Sequence, residues 1–368
     1  MTATQLEFAQ YPSANPKSQA EREAILENPG FGNHFTDHTV VVDYSVDASG
    51  RGGWGNARLE AYGPIAMDPA SAVLHYGQEI FEGMKAYRHA DDSIWTFRPE
   101  ANADRLNRSA ARLALPQLPD GVFVESLRQL VAADRDWVPT RDGESLYLRP
   151  FMIATEAFLG VRPAREVSYR VIASPAANYF GGELAPVSIW VSRNYARAVR
   201  GGTGAAKCGG NYAGSLAAQL EAEAHGCKQV LFLDQFNNNA VEELGGMNVF
   251  FVFKDGSLVT PALSGTILEG ITRSSIIQLA QDRGLKVDER TITLDEWRDG
   301  VGSGDITEVF ACGTAAVITP IGELKDGEEV IKAADPSAGE VTMSLREQLL
   351  GIQTGKVEDP HGWMTRLV

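Results

Sequence analysis

The sequence predicts a mixed α/β (α+β) chain of two domains, and three observations carry that expectation. Its 368 residues are enough for two hydrophobic cores. Short β-branched or apolar runs alternate along it with stretches whose apolar residues recur at helical spacing. Near the middle, Pro175-Ala-Ala-Asn-Tyr-Phe-Gly-Gly182 concentrates loop-forming residues. The expected division is an N-terminal domain at 1–174, a connecting loop at 175–186 and a C-terminal domain at 187–368.

The elements follow in order. Thr39 to Tyr44 is rich in β-branched residues and reads as a strand, and Tyr87 to Phe97 reads as a hairpin turning at Asp91-Asp92. Ala101 to Leu115 carries Leu106, Ala110 and Leu113 at helical spacing, and Val122 to Trp137 is a second amphipathic helix. Leu146 to Ala154, Ser168 to Ser174 and Val187 to Ser192 are short strands. The second half repeats the mixture, with a helix at 213–225 ending at Gly226, strands at 229–233 and 247–253, a turn at Asp255-Gly256 and a helix at 273–283. No repeat of solenoid period is present.

Composition narrows the class. With 44% apolar and 22% charged residues, the chain is ordinary for a globular protein, which excludes collagen-like and disordered classes. No apolar run has the length of a membrane span, and Met1 to Pro29 is polar and acidic, unlike a signal peptide, so a cytoplasmic protein is expected. A net charge of -15 opposes binding to nucleic acid or to an anionic membrane, while leaving room for a local anion site around a group such as Arg105. Cys208, Cys227 and Cys312 have neither paired spacing nor a Cys-x-x-Cys, so no disulfide framework or zinc site is expected. His34 and His38 are spaced i, i+4 but border a strand, and no metal site is expected of them.

Lys207 is the first chemical signal. It lies in Gly201-Gly-Thr-Gly-Ala-Ala-Lys-Cys-Gly-Gly-Asn-Tyr212, a basic side chain among residues too small to surround it with bulk. A Walker loop requires Gly-Lys-Ser/Thr, whereas this run reads Ala206-Lys207-Cys208, and the third glycine of a dinucleotide fingerprint is absent. An amine that forms a covalent imine with a planar cofactor suits such a setting; a flexible loop with an incidental lysine is the alternative.

Four further features bear on that choice. In Leu268-Glu-Gly-Ile-Thr-Arg273 a glycine leads into a threonine able to cap the following helix, whose free N–H groups form an anion site. Ala311-Cys-Gly-Thr-Ala-Ala316 offers consecutive N–H groups and a hydroxyl in a tight turn after a strand-like run. Glu243, just before the apolar strand 247–253, is a carboxylate that needs a partner, and a protonated pyridine nitrogen is one. Tyr212, five residues past Lys207, either bonds a phenolic oxygen of the same ring or packs as a core tyrosine. Each of these taken alone also has an ordinary structural explanation.

Taken together, these residues resemble the branched-chain-amino-acid aminotransferases. The resemblance runs from Phe31 to Trp363 and rests on Gly32-Asn-His-Phe-Thr-Asp-His38, Leu74-His-Tyr-Gly-Gln-Glu-Ile-Phe-Glu-Gly-Met-Lys-Ala-Tyr87, Ser145-Leu-Tyr-Leu-Arg-Pro150, Lys207-Cys-Gly-Gly-Asn-Tyr212, Glu243-Leu-Gly-Gly-Met-Asn248 and Gly313-Thr-Ala315. It implies a fold type IV aminotransferase with a smaller N-terminal α/β domain and a larger C-terminal pseudo-barrel domain. It also implies pyridoxal 5'-phosphate (PLP) as cofactor, with Lys207 forming the imine and shuttling the proton. Glu243 pairs with the pyridine nitrogen, Tyr212 with the ring oxygen, Leu268 packs on the ring, and Arg105, Ile271, Thr272 and Thr314 hold the phosphate.

The resemblance extends to substrate. The carboxylate falls to the Thr314-Ala315 backbone with Tyr147, and Arg149 lies beside it. Phe31, Tyr76, Phe81, Val161 and Tyr179 line an apolar pocket, with Tyr76 and Val161 supplied by the second subunit of a homodimer. The implied reaction is ping-pong transfer of the amino group from L-leucine, L-isoleucine or L-valine to 2-oxoglutarate, giving L-glutamate. A D-amino-acid aminotransferase or aminodeoxychorismate lyase of the same fold, and a PLP-binding protein without catalysis, are the alternatives. The chain departs from some relatives in having Ala316 and Thr319 where they carry a Cys-x-x-Cys, and Gly246 where they carry threonine.

Overall fold

The β-branched run around Val40 forms the strand His38–Val46, longer at both ends than the expected Thr39 to Tyr44. The computed structural model describes residues 6–177, 185–237, 239–333 and 338–368. It divides into two compact units, Met1–Gly181 with Ala206–Gly209 and Ile352–Val368, and Gly182–Ala205 with Gly210–Gly351. The expected boundaries differ from these in two places. The C-terminal residues return to the first unit, where Met364–Arg366 pairs antiparallel with Ile94–Phe97. The four residues around Lys207 also belong to the first unit, although the chain on both sides of them belongs to the second.

The first unit is built on one sheet. Its strand order among the described residues is Ala9–Tyr11, Gly52–Ala61, His38–Val46, Glu166–Ala176, Ser145–Ala154, Met84–Arg88, Ile94–Phe97, Met364–Arg366, with Glu79–Phe81 also pairing to Ser145–Ala154. The strand Glu166–Ala176 runs through Pro175, which the sequence had placed in a loop. Proline lacks an N–H, and here none is needed on one side. The pairing of Glu166–Ala176 with His38–Val46 ends at Val40 and Val171, so Pro175 lies beyond it, with Leu146 as its partner on the other side.

Two helices cover that sheet for reasons visible in their spacing. Val122–Ala133 buries Val122, Phe123, Ser126, Leu127, Leu130 and Val131, a stripe repeating at i+4 and i+8. Burial of each large apolar side chain in such a stripe stabilises the fold by roughly 1.5–3 kcal/mol. Pro99–Arg112 starts on Pro99 at its first position, where a missing N–H costs nothing, and buries Asn102, Arg105, Leu106, Ser109 and Ala110. The same periodicity therefore turns Arg105 inward with the apolar residues.

The second unit holds the other sheet, ordered Val241–Leu244, Gln229–Leu233, Val187–Val191, Val317–Asp326, Ile306–Gly313, Asn248–Phe253, Leu258–Thr260, Val287–Glu289, with Glu329–Lys332 pairing to Val317–Asp326. Its core includes Val249, Phe251, Ile292, Leu294 and Trp297. Glu243 lies ahead of the apolar strand Asn248–Phe253, as expected, and is itself part of a short buried strand, Val241–Leu244. The helix expected at 213–225 is present as Leu216–Ala224, and a further short helix, Gly209–Ala213, precedes it. Among the described residues no helix is long and apolar enough to cross a membrane.

Candidate functional site

In the first unit, Lys207 is held by its backbone. Its N–H donates to Ser109 Oγ at 2.9 Å and its carbonyl accepts from Phe81 N–H at 3.0 Å, so a helix and a strand fix the segment from two sides. The amine stands 4.7 Å from the centre of the Phe81 ring. Arg149 approaches the same ring at 4.7 Å and the Tyr147 ring at 5.3 Å, and donates from Nη2 to the Tyr147 hydroxyl at 3.2 Å. Arg149 Nε is buried without a hydrogen-bond partner. Phe31 meets Tyr147 edge-on, with ring centres 5.1 Å apart.

The small residues around Lys207 divide their work. Ala206 and Cys208 are buried in the core of the first unit. Gly209 donates its N–H to Glu79, and a Cβ there would collide with that carboxylate. A Cβ on Gly204, in the second unit, would strike the Thr266 carbonyl. The glycine-rich reading took these residues as room for a cofactor, whereas at 204 and 209 the missing Cβ serves close packing of the chain itself. Burial pushes the Glu79 carboxyl above its ordinary range, while the Gly209 N–H and the Arg149 charge pull it back.

Arg105 is 4% exposed and pairs with Glu82, which is wholly buried. Nε and Nη2 donate to the two carboxylate oxygens at 2.8 and 2.7 Å. Tyr76 and Val161 are exposed, as are Leu74 and Leu159, each two residues away in sequence, and the Tyr76 hydroxyl donates to the Leu159 carbonyl. Tyr179 falls outside the described residues. His38 is engaged within the fold. Its Nδ1 lies 2.6 Å from Asp134, and its Nε2 accepts from Ser13 N–H at 3.0 Å.

In the second unit Glu243 is buried among three donors. Arg197 Nη1 stands 2.5 Å from Oε1, Leu268 N–H donates to Oε1 at 3.2 Å, and Asn248 Nδ2 approaches Oε2 at 3.4 Å. Asn248 also donates to the Leu268 carbonyl at 3.1 Å, which ties the chain ahead of the helix Ile271–Asp282 to the strand Asn248–Phe253. Tyr212 sits on Gly209–Ala213, and a Cβ at Gly246 would lie 3.6 Å from its ring, so the residue that replaces a threonine borders the tyrosine. Gly313 lies in turn beside Gly246 and Met247.

The two anion candidates differ from expectation in detail. The helix Ile271–Asp282 takes Gly270 as its N-cap, without a side-chain bond, so Thr272 is the second helical residue and not the cap. The N–H groups of its first turn have no partners four residues back in the helix. A Cβ on Gly270 would collide with Asn248, so only glycine lets the helix start this close to the strand. Thr314, Ala315 and Ala316 form the loop of a hairpin between Ile306–Gly313 and Val317–Asp326, closed by the Gly313–Val317 pair. The turn leads into a strand, with Val317 at φ 61°.

Sequence reasoning missed Arg197, Asn248 and Glu79, and gave Glu82 no role. Glu79 and Glu82 stand inside a quoted segment, yet nothing in spacing says which cation each carboxylate meets. Arg197, ten residues before Lys207, shares its stretch with Arg193 and Arg200, and only the fold selects it.

Comparison with known proteins finds the model of the family "Amino-transferase class IV" over residues 79–324. The branched-chain-amino-acid aminotransferase of Mycolicibacterium smegmatis is 58% identical over the full length of both chains, and that of Mycobacterium tuberculosis 57% over the same extent. Among solved structures, the Escherichia coli branched-chain amino acid aminotransferase superposes with a TM-score of 0.71 at 30% identity, covering 84% of this chain and 96% of its own. The T.th. branched-chain amino acid aminotransferase with pyridoxamine 5'-phosphate gives 0.72 at 30% identity, covering 89% and 98%.

Proposed function

The chain belongs to the class IV aminotransferases, and from that premise we propose that it is a PLP-dependent branched-chain-amino-acid aminotransferase. It moves the amino group of L-leucine, L-isoleucine or L-valine reversibly to 2-oxoglutarate, giving L-glutamate and the branched-chain 2-oxo acid. One observation carries the reading: the Lys207 amine and the Arg149 guanidinium stand at the same Phe81 ring. An amine able to bond an aldehyde and a cation able to take a carboxylate then share one wall.

The donor set fits PLP. Lys207 matches the aldehyde, Tyr212 the ring hydroxyl oxygen and Glu243 the pyridine nitrogen, with Leu268 against the ring. Arg105, the N–H groups of Ile271 and Thr272, and the Thr314 hydroxyl match the phosphate. The setting of Glu243 supports its part, because Arg197 and the Leu268 N–H favour the charged carboxylate that a protonated ring nitrogen needs. The helix start at Gly270, whose N-cap brings no side-chain bond, likewise suits the phosphate.

When bound, PLP supplies an electron sink for the pair left on the substrate α carbon as its proton departs. Lys207 Nζ takes that proton and returns it, one group doing the work of base and acid in turn. Arg149, Tyr147 and the Thr314-Ala315 backbone hold carboxylate, and Arg149 Nε, buried without a partner, suits that task. Phe31 and Phe81 face the apolar side chain and keep water from it. Tyr76 and Val161 enter this reading from the second subunit of a homodimer. Support comes from their exposure, 40% for Tyr76 and 88% for Val161, since large apolar side chains left to solvent suit a surface that a partner covers.

The test is direct. Protein given L-leucine and 2-oxoglutarate is expected to form L-glutamate and the leucine-derived 2-oxo acid in equal amounts, and borohydride is expected to fix cofactor on Lys207. Turnover of D-alanine in place of L-leucine, or cofactor fixed on another residue, overturns the reading.

A further inference from the structure

We propose that Glu82 is a positioning residue for phosphate binding: it holds the Arg105 guanidinium in the plane and direction from which that group meets the cofactor phosphate. The inference rests on the role given to Arg105 above. Glu82 occupies the turn between Glu79–Phe81 and Met84–Arg88 and is wholly buried. Its contact with Arg105 is a side-on fork, Nε to one oxygen at 2.8 Å and Nη2 to the other at 2.7 Å.

The fork is itself anchored. Glu82 N–H donates to the Pro150 carbonyl at 2.7 Å, and Glu82 Oε2 also accepts from Gly83 N–H at 3.3 Å. A Cβ on Gly83 would collide with the Tyr147 hydroxyl, so the turn is seated against the strand that carries Tyr147 and Arg149. An arginine reaching from a helix has a string of rotatable bonds, and a single-point contact leaves its plane free to turn. The side-on fork takes the Nε–Nη2 edge and fixes that plane, and with it the direction in which the guanidinium faces.

If Glu82 served only to offset a buried charge, its loss would weaken binding of every cofactor form alike. If it aims Arg105, its loss is felt through the phosphate alone. The test therefore compares PLP with pyridoxal, which lacks the phosphate, for binding to full-length protein stripped of cofactor, read by the absorbance of the bound aldehyde. Glu82→Gln keeps the shape but loses the charge-assisted fork, and is expected to lower PLP affinity about 10- to 100-fold while pyridoxal affinity stays within about 2-fold. Glu82→Asp, which keeps the charge on a shorter arm, is expected to lower the ratio less, and serves should the glutamine variant fail to fold.

A ratio of PLP to pyridoxal affinity that stays at the wild-type value in the variants overturns the proposal, whether both forms weaken equally or neither does. Arg105→Gln separates this outcome from failure of the underlying reading. If Arg105→Gln leaves the ratio unchanged, Arg105 is not the phosphate ligand and both ideas fall. If it collapses the ratio while the Glu82 variants do not, only the role of Glu82 falls.

Discussion

Each unit buries an arginine–glutamate pair, and the proposed chemistry uses opposite halves of the two. In the first, Arg105 and Glu82 have side chains 4% and 0% exposed, and Arg105 is the half proposed to meet a ligand. In the second, Arg197 and Glu243 are each 2% exposed, and Glu243 is the half proposed to meet a ligand. A buried ion pair adds little net stability over an apolar pair of the same shape, because desolvation offsets most of the attraction. What each pair does is keep one ion charged and aimed where water cannot solvate it. The geometry follows the task. Arg105 is gripped by a two-point fork, which fixes a plane, whereas Glu243 is held through donors to both oxygens, an arrangement that suits a carboxylate.

Stability gives the largest effect and treats the pairs alike. Glu243→Ala leaves Arg197 buried without its carboxylate, and Glu82→Ala does the same to Arg105. Each is expected to lose about 3–5 kcal/mol in denaturant unfolding of the cofactor-free protein. The double variant Glu243→Gln/Arg197→Gln is expected to recover most of that loss. If the single variants unfold like the wild type, neither pair is a matched buried unit and the comparison collapses.

Catalysis comes next and separates the pairs. Glu243→Gln keeps the shape and removes the charge that holds a ring nitrogen protonated, so kcat for L-leucine is expected to fall roughly 100- to 1000-fold. PLP affinity is expected to change far less than in Glu82→Gln. Equal kcat losses from the two substitutions, with equal losses of PLP affinity, would erase the functional difference drawn here. A smaller effect is expected of Arg197→Lys. A lysine can still face Glu243 but gives up the donation Arg197 makes to the Thr266 carbonyl at 3.0 Å, a change of about 1–3 kcal/mol in unfolding.

The working halves of these pairs were legible in the sequence and the supporting halves were not. Lys207 and Glu243 stand in segments whose composition is odd or whose motifs are specific, whereas Arg105 drew its expected role from the family resemblance alone. Glu82 and Arg197 owe their importance to a partner distant in sequence, 23 residues away for Glu82 and Arg105. The fold shows the same divide. Strands such as His38–Val46 and helices such as Val122–Ala133 follow from local spacing. The return of Met364–Arg366 to the first sheet, the passage of a strand through Pro175 and the placing of the Lys207 segment in the first unit depend on what neighbouring strands leave open. No local pattern encodes that.

The finest test sets Glu243 against its neighbour Glu242. Successive residues of a strand face opposite sides, so two adjacent buried carboxylates of Val241–Leu244 meet different surroundings. Glu243 has Arg197 at 2.5 Å, while the hydrogen bond shown for the Glu242 carboxylate comes from the Thr266 hydroxyl. Burial pushes the Glu242 carboxyl above its ordinary value of 4.5, and Thr266 offsets this only in part. A carboxyl whose folded pKa is raised binds its proton more tightly folded than unfolded, so ionisation destabilises the fold at every pH above the folded value. That penalty shrinks as pH falls through the folded pKa and is gone below the unfolded one. Glu242→Gln keeps an acceptor for Thr266 and is expected to unfold at higher denaturant than wild type near neutral pH, with the advantage vanishing below about pH 4.5. A glutamine variant less stable than wild type at neutral pH would mean that Glu242, like Glu243, is matched by a positive charge, and the contrast between the two neighbours would not stand.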